Sequence, residues 1–254
     1  MEPAPAHWHL AWGELVVVAL AAAAYGLAAR RHGVSRARMA AFATASMLTL
    51  AIFFSPLETL ALHYLLTAHL VQNVALAEWI PALAVLGLSE RMAQRLARSR
   101  PFGALTHPLV ALPVWIATYA VWHLPPAYDA ALRHQGSVIH VEHASYVIAG
   151  GLFWWPVLQS APHALPAGTK AAYLFAAFFF ASPLGLLFAL LPEPLYAFYV
   201  EAPRVGGISP LTDQQIAGVA MAASEAVVFF GAFAFFFLRF MSEEDDARYS
   251  PRDA

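Results

Sequence analysis

Apolar residues run along this chain in long blocks rather than in the narrow stripes of a soluble amphipathic helix. The hydrocarbon of a bilayer takes about 20 apolar residues per helix. Seven stretches approach that length: residues 12–29, 39–55, 59–88, 102–122, 138–158, 171–191 and 216–240. The fourth is the weakest, because Pro108 and Pro113 interrupt it. A bundle tolerates such prolines where neighbours satisfy the freed carbonyls. The pattern predicts an all-α integral membrane protein, a bundle of seven transmembrane helices over residues 1–241. A polar, disordered cytoplasmic tail is expected at 242–254, around the acidic run Glu243 to Asp246.

Lysine and arginine orient the bundle, because cytoplasmic loops hold them in excess. Arg30, Arg31, Arg36 and Arg38 lie between the first two spans, and Arg91, Arg95, Arg98 and Arg100 between the third and fourth. Lys170 precedes the sixth, while Arg239, Arg248 and Arg252 close the chain. Of the 14 basic residues only Arg133 and Arg204 fall on the other side, so the N-terminus is expected outside and the C-terminus inside. Met1 to Trp12 contain no basic residue, so the first span reads as retained rather than as a cleavable signal.

Composition agrees with a lipid-facing surface: 60% of the 254 residues are hydrophobic and 12% charged, against about 25% charged in soluble domains. A net charge of -2 without a basic patch excludes a nucleic-acid partner. The chain has no cysteine, which rules out disulfides and thiolate metal sites. A bound metal would need histidine, methionine, carboxylate, amide or backbone oxygen.

The histidines are distributed unevenly across the expected membrane. His32, His107 and His163 fall inside; His7, His9, His63, His69, His123, His134, His140 and His143 fall in the outer half. At 100° per residue, His69, Gln72 and Asn73 share one sector of the third span, with His63 nearly two turns above. His140 and His143 are three apart in the fifth span and so neighbours on one face. His123 reaches the same depth from the fourth. These five histidines on three spans are candidate ligands for a metal or cofactor. Met221, two turns into the seventh span, offers a thioether that suits a soft cation. Glu78 and Glu225 lie deeper, where a carboxylate needs a partner or a cavity. Plainer roles stay open: a histidine at a helix end is often an interfacial polar group, and Gln72, Asn73 and Gln214 also fit as interhelical hydrogen-bonding residues.

Several motifs resemble the CtaG family of cytochrome c oxidase assembly factors. They are Ser55-Pro56-Leu57 with His63 and Thr67-Ala68-His69-Leu70-Val71-Gln72; Trp122-His123-Leu124-Pro125 with Tyr128-Asp129-Ala130-Ala131-Leu132; His140-Val141-Glu142-His143 leading to Phe153-Trp154-Trp155-Pro156; and Asp213-Gln214-Gln215-Ile216-Ala217-Gly218 with Met221. The resemblance implies a multi-pass protein of the bacterial inner (plasma) membrane that helps mature a haem–copper oxidase. It further implies that the protein takes copper from a periplasmic donor and supplies it to the oxidase catalytic subunit. The resemblance makes His63, His69, His123, His140 and His143 candidate metal ligands, with Met221 a weaker one; in a copper site Gln72, Asn73, Asp129, Glu142, Asp213 and Gln214 would support them from behind. One position departs: the family commonly has histidine after the glutamine of the third span, where this chain has Asn73.

Two further classes compete with a copper-binding assembly factor. Paired histidines on spanning helices also ligate haem b, for which His69 and His143 would serve as axial ligands. An ion transporter would continue its polar residues across the membrane, and only Glu78 and Glu225 lie that deep. No nucleophile–base pair or phosphate loop marks an enzyme.

Overall fold

A computed structural model describes residues 3–249. Among them the chain folds into helices and no strand: α1 (Trp12–His32), α2 (Arg36–Phe54), α3 (Pro56–His63), α4 (Leu66–Gly87), α5 (Glu90–Leu96), α6 (Arg100–Leu105), α7 (Pro108–Trp122), α8 (Pro125–Arg133), α9 (Val138–Leu158), α10 (Ala167–Leu190), α11 (Ala197–Glu201) and α12 (Pro210–Asp245, continuing to Tyr249). Serine hydroxyls cap several starts, where the first amides of a helix lack intrahelical acceptors. Ser35 accepts from the Arg38 amide, Ser89 from Met92 and Ser209 from Thr212. Ser55 accepts from Leu57, with Pro56 opening α3.

The expectation of seven spans is met only in part. Five helices are long and apolar enough to cross a membrane: α1, α2, α4, α10 and α12. A sixth follows if α7 and α8, bent by 71° at their junction, count as one broken span. The reason for the shortfall is local. α7 is a 15-residue helix, and α9 has the length but spends apolarity on His140, Glu142 and His143.

Two further expectations change. The third stretch is not one helix: it breaks at Tyr64 and Leu65 into α3 and α4, so His63 leaves the helix that holds His69. The segment from Ser242, expected to be disordered, is helical as far as Tyr249. Residues 250–254, with Arg252, lie outside the described residues.

α4 is the centre of the bundle. Two thirds of its span is buried, against none of α1. It packs against α2, α9 and the first half of α12. Its own N-terminus has no local side-chain cap. The carboxylate of Asp213, from α12, takes that place: Oδ2 accepts the Leu66 amide at 2.6 Å, and Oδ1 accepts the Thr67 amide at 3.1 Å and the Thr67 hydroxyl at 2.6 Å.

α4 and α9 run in the same direction and touch along much of their length. Asn73 meets Glu142, Gly150 lies on Ala77, and the Gln159 amide donates to the Val85 carbonyl at 2.7 Å. Gly150 allows the close approach, as small residues do in membrane bundles. A Cβ there would lie 2.3 Å from the Ala77 carbonyl oxygen and 2.7 Å from Pro81. Between α10 and α12, Gly185 and Gly218 face each other in the same way.

α4 and α12 each contain one π turn, Ala75–Trp79 and Ala226–Phe230. Such a turn frees carbonyls from the regular ladder, and the Trp115 indole donates to the Ala77 carbonyl at 3.3 Å. Gly150→Ala is expected to destabilise the bundle by about 1–3 kcal/mol, the usual cost of overpacking. Thermal unfolding of the purified protein in detergent would show it as a lowered midpoint.

Candidate metal centre

His69 lies in the first turn of α4, just below the Asp213 cap, and α9 brings Glu142 and His143 against it. One ligand atom from each of His69, Glu142 and His143 lies within 4.8 Å of the others, and all three residues are buried. Their rings and oxygens are held from outside the cluster. The Tyr199 hydroxyl donates its one proton to the Ala61 carbonyl at 2.6 Å. It therefore accepts at 3.0 Å from His69 Nδ1, which must carry the hydrogen. His69 Nε2 is left with its lone pair, 3.7 Å from Glu142 Oε1 and without a hydrogen-bond partner. Asn73, one turn below His69, donates to Glu142 Oε1 at 2.8 Å and leaves Oε2 unpartnered. His143 Nε2 has no partner either, and Phe53 closes one side of its ring at 5.3 Å.

His123 is the next nearest histidine. Its Nδ1 lies 2.7 Å from the Tyr119 carbonyl and so is protonated, leaving an unpartnered lone pair on Nε2. Tyr128 stands between the two rings, 5.0 Å from His69 and 6.1 Å from His123. Buried polar atoms are ordinarily satisfied, since an unpaired one costs about 1–3 kcal/mol. His69 Nε2, His143 Nε2 and Glu142 Oε2 are in that condition on two adjacent helices, with His123 Nε2 beyond Tyr128.

The other expected ligands lie apart. His140 is 60% exposed, with Nδ1 3.6 Å from Glu14 Oε1. It sits off the inward face of α9, which is formed by Ile139, Glu142, His143, Tyr146, Ala149, Gly150 and Phe153. His63 ends α3, half-buried beside the Tyr64 ring. Met221 packs in the apolar core.

Of the residues expected behind the ligands, Asn73 alone touches the cluster in that role. Glu142 moves into the cluster itself. Gln72 donates to Glu58. Gln214 accepts from the Leu195 amide at 2.6 Å and donates to the Glu193 carbonyl at 3.2 Å, which fixes the segment before α11. Asp129 accepts from the Phe198 amide at 3.2 Å and so anchors α11, the helix that presents Tyr199. Tyr199 lies outside every apolar stretch, and no sequence signal marks it.

Deeper in the bundle, Glu78 and Glu225 are electrostatic neighbours, each at a π turn. The Tyr119 hydroxyl donates to Glu225 at 2.5 Å.

A multi-pass helical membrane protein with a histidine–carboxylate cluster buried in its bundle is the class that fold and site define. Residues 18–243 match the family described as cytochrome c oxidase caa3 assembly factor (Caa3_CtaG), and the chain belongs to it. It is also similar to uncharacterized proteins of Mycobacterium bovis and Mycobacterium tuberculosis, each 25% identical over 178 residues. Those matches cover 60% of this chain but only 26% of each relative, so the chain spans about a quarter of their length. No solved structure matches.

Glu58, on α3 and outside the spans, gives a pH-dependent prediction. Burial pushes its carboxyl up to about 7 from an ordinary 4.5, against the Gln72 hydrogen bond and with help from nearby Glu14. A carboxyl raised on folding contributes stability that is present below its ordinary pKa and lost as pH rises through the folded value. Glu58→Gln should therefore raise the unfolding midpoint at about pH 8 and leave it nearly unchanged at about pH 4. Paired thermal scans of the two proteins measure the difference.

Proposed function

We propose that this chain is a copper-binding assembly factor, not an enzyme, that supplies copper to the catalytic subunit of a haem–copper oxidase. It spans the bacterial inner membrane seven times, with its N-terminus outside. α9 completes the count because Glu142 and His143 turn inward, while Val141, Val147 and Ile148 remain exposed on its outer side. The lopsided arginines support an orientation with the His69 end of the bundle outside, within reach of a periplasmic donor.

The observation that supports metal binding best is the convergence of His69, Glu142 and His143, whose ligand atoms lie within 4.8 Å of one another and each of which keeps one unpartnered polar atom. Two imidazoles and a carboxylate, with a third imidazole on His123 nearby, suit copper. The carboxylate favours Cu(II) over the softer Cu(I) that Met221 would have served. A small ion fits better than haem. Glu142 Oε1 stands 3.7 Å from His69 Nε2, and His69 lines neither of the two cavities that reach His143, so no room for a porphyrin opens between the rings.

Purified protein should bind one copper per chain and show no Soret band. His69→Ala/His143→Ala should remove the tightly bound copper and leave the oxidase without its copper when it replaces the native chain. A Soret band, or oxidase matured normally by the double variant, would overturn the reading. Tyr199→Phe, which removes the hydroxyl that sets the His69 tautomer, should weaken copper binding about 10- to 100-fold, as loss of such supporting contacts does at other metal sites. Equilibrium titration against a competing chelator reads that change.

A further inference from the structure

His69 and Glu142 have no exposure at all, so an ion must reach the cluster past something. His143 is the member of the three that lines a cavity. That cavity, about 280 Å³, brings His9, Glu14, Glu58, Gln135 and His140 onto one wall with His143. At its mouth His140 Nδ1 lies 3.6 Å from Glu14 Oε1, with 60% and 23% of the two side chains exposed. His9 comes from the segment before α1, which is fastened to the bundle rather than loose. The Thr59 hydroxyl donates to the His7 carbonyl at 3.0 Å, and the Tyr64 hydroxyl donates to that of Pro3.

We propose that His9, Glu14 and His140 form a second, exposed metal station that receives Cu(II) and loads the buried centre through His143. The inference rests on copper binding at His69, Glu142 and His143, and deepens it. Its donors are the His140–Glu14 imidazole–carboxylate pair, 3.6 Å apart, and the His9 imidazole that lines the same cavity, residue types that take hydrated Cu(II) with water in the remaining positions. Exposure keeps exchange fast, which suits an entry site and not a store.

The step inward is short. His140 and His143 are three residues apart, about 4.5 Å along the helix axis. An ion held by His140 can bind the His143 imidazole where it lines the cavity before it releases the outer imidazole, so ligands exchange one for one and no bare ion crosses the apolar core. His143, buried to 6% exposure yet lining the cavity, is placed to make that exchange. The Glu14 carboxylate adds attraction for the incoming cation, an effect that raises association rates in clefts and falls with ionic strength.

The test compares loading rate with final occupancy. Full-length wild type and Glu14→Gln/His140→Ala are mixed in detergent with the Cu(II)–glycine complex, and uptake is followed by stopped-flow tryptophan quenching. Loading is expected to slow about tenfold and to lose most of its salt dependence, while both proteins end with the same copper per chain. An unchanged rate would overturn the station and leave the buried centre standing. A variant that no longer reaches full occupancy would place these residues in the centre itself, which also overturns the station. A wild type that takes up no copper removes the copper reading, and the station with it. A second measurement uses His69→Ala/His143→Ala. Its electron paramagnetic resonance spectrum should retain one weak Cu(II) signal that disappears when His140→Ala is added. Absence of that signal in the double variant counts against the station.

Discussion

The structure depends on one cap supplied from far away in sequence. α4 starts within an otherwise apolar bundle, where its first amides have neither water nor a local side chain to accept their hydrogens. Asp213 accepts two of them and the Thr67 hydroxyl, from 146 or 147 residues along the chain. Hydrogen bonds to a charged group contribute about 1.5–3 kcal/mol each, and more is lost when a buried donor is left bare. The cap joins the first half of α12 to the central helix and fixes where α4 begins. His69 follows in its first turn, so the position of the cluster descends from this contact.

From that anchor the rest is a matter of which polar atoms find partners. Asp129 secures α11, α11 presents Tyr199, and Tyr199 takes the Nδ1 hydrogen of His69. On the other helix Asn73 holds one oxygen of Glu142. Each contact satisfies one atom of a ligand residue and leaves the other free. The bundle thus holds a set of unsatisfied donors that folding alone does not resolve. Such a set is costly unless something binds it, which is why it reads as a site and not as core.

Much of this is legible in the sequence, and the failures have physical causes. His69 and Asn73 stand four apart, and both remain on one continuous helix, so the wheel places them together. The same wheel fails for His63, because the break at Tyr64 and Leu65 is stabilised by Asp213, a tertiary partner that no local window contains. In α9, pairing His140 with His143 takes three-residue spacing as sufficient. The buried positions Ile139, Glu142, Tyr146, Ala149 and Phe153 define the inward face, and that period puts Glu142 inside and His140 at the edge. Glu142 is therefore recoverable from the pattern, whereas Tyr199 is not. The span count falls short at α7 and α9 for a related reason: α7 is short, and α9 gives up apolarity to the side chains that build the cluster.

The Gly150 contact bears on the chemistry as well as the packing. Gly150 lies seven residues beyond His143, about 10 Å further along α9, where the two backbones touch at Ala77. That touching point acts as a fulcrum. With no side chain there, α9 lies close on α4, and His143 and Glu142 stand against His69 at its upper end. A wedge of a single methyl group at the fulcrum would open the upper end like the jaws of pliers. The spacing of His69, Glu142 and His143 is thus gauged by atoms that are missing, at a place about 10 Å away along α9.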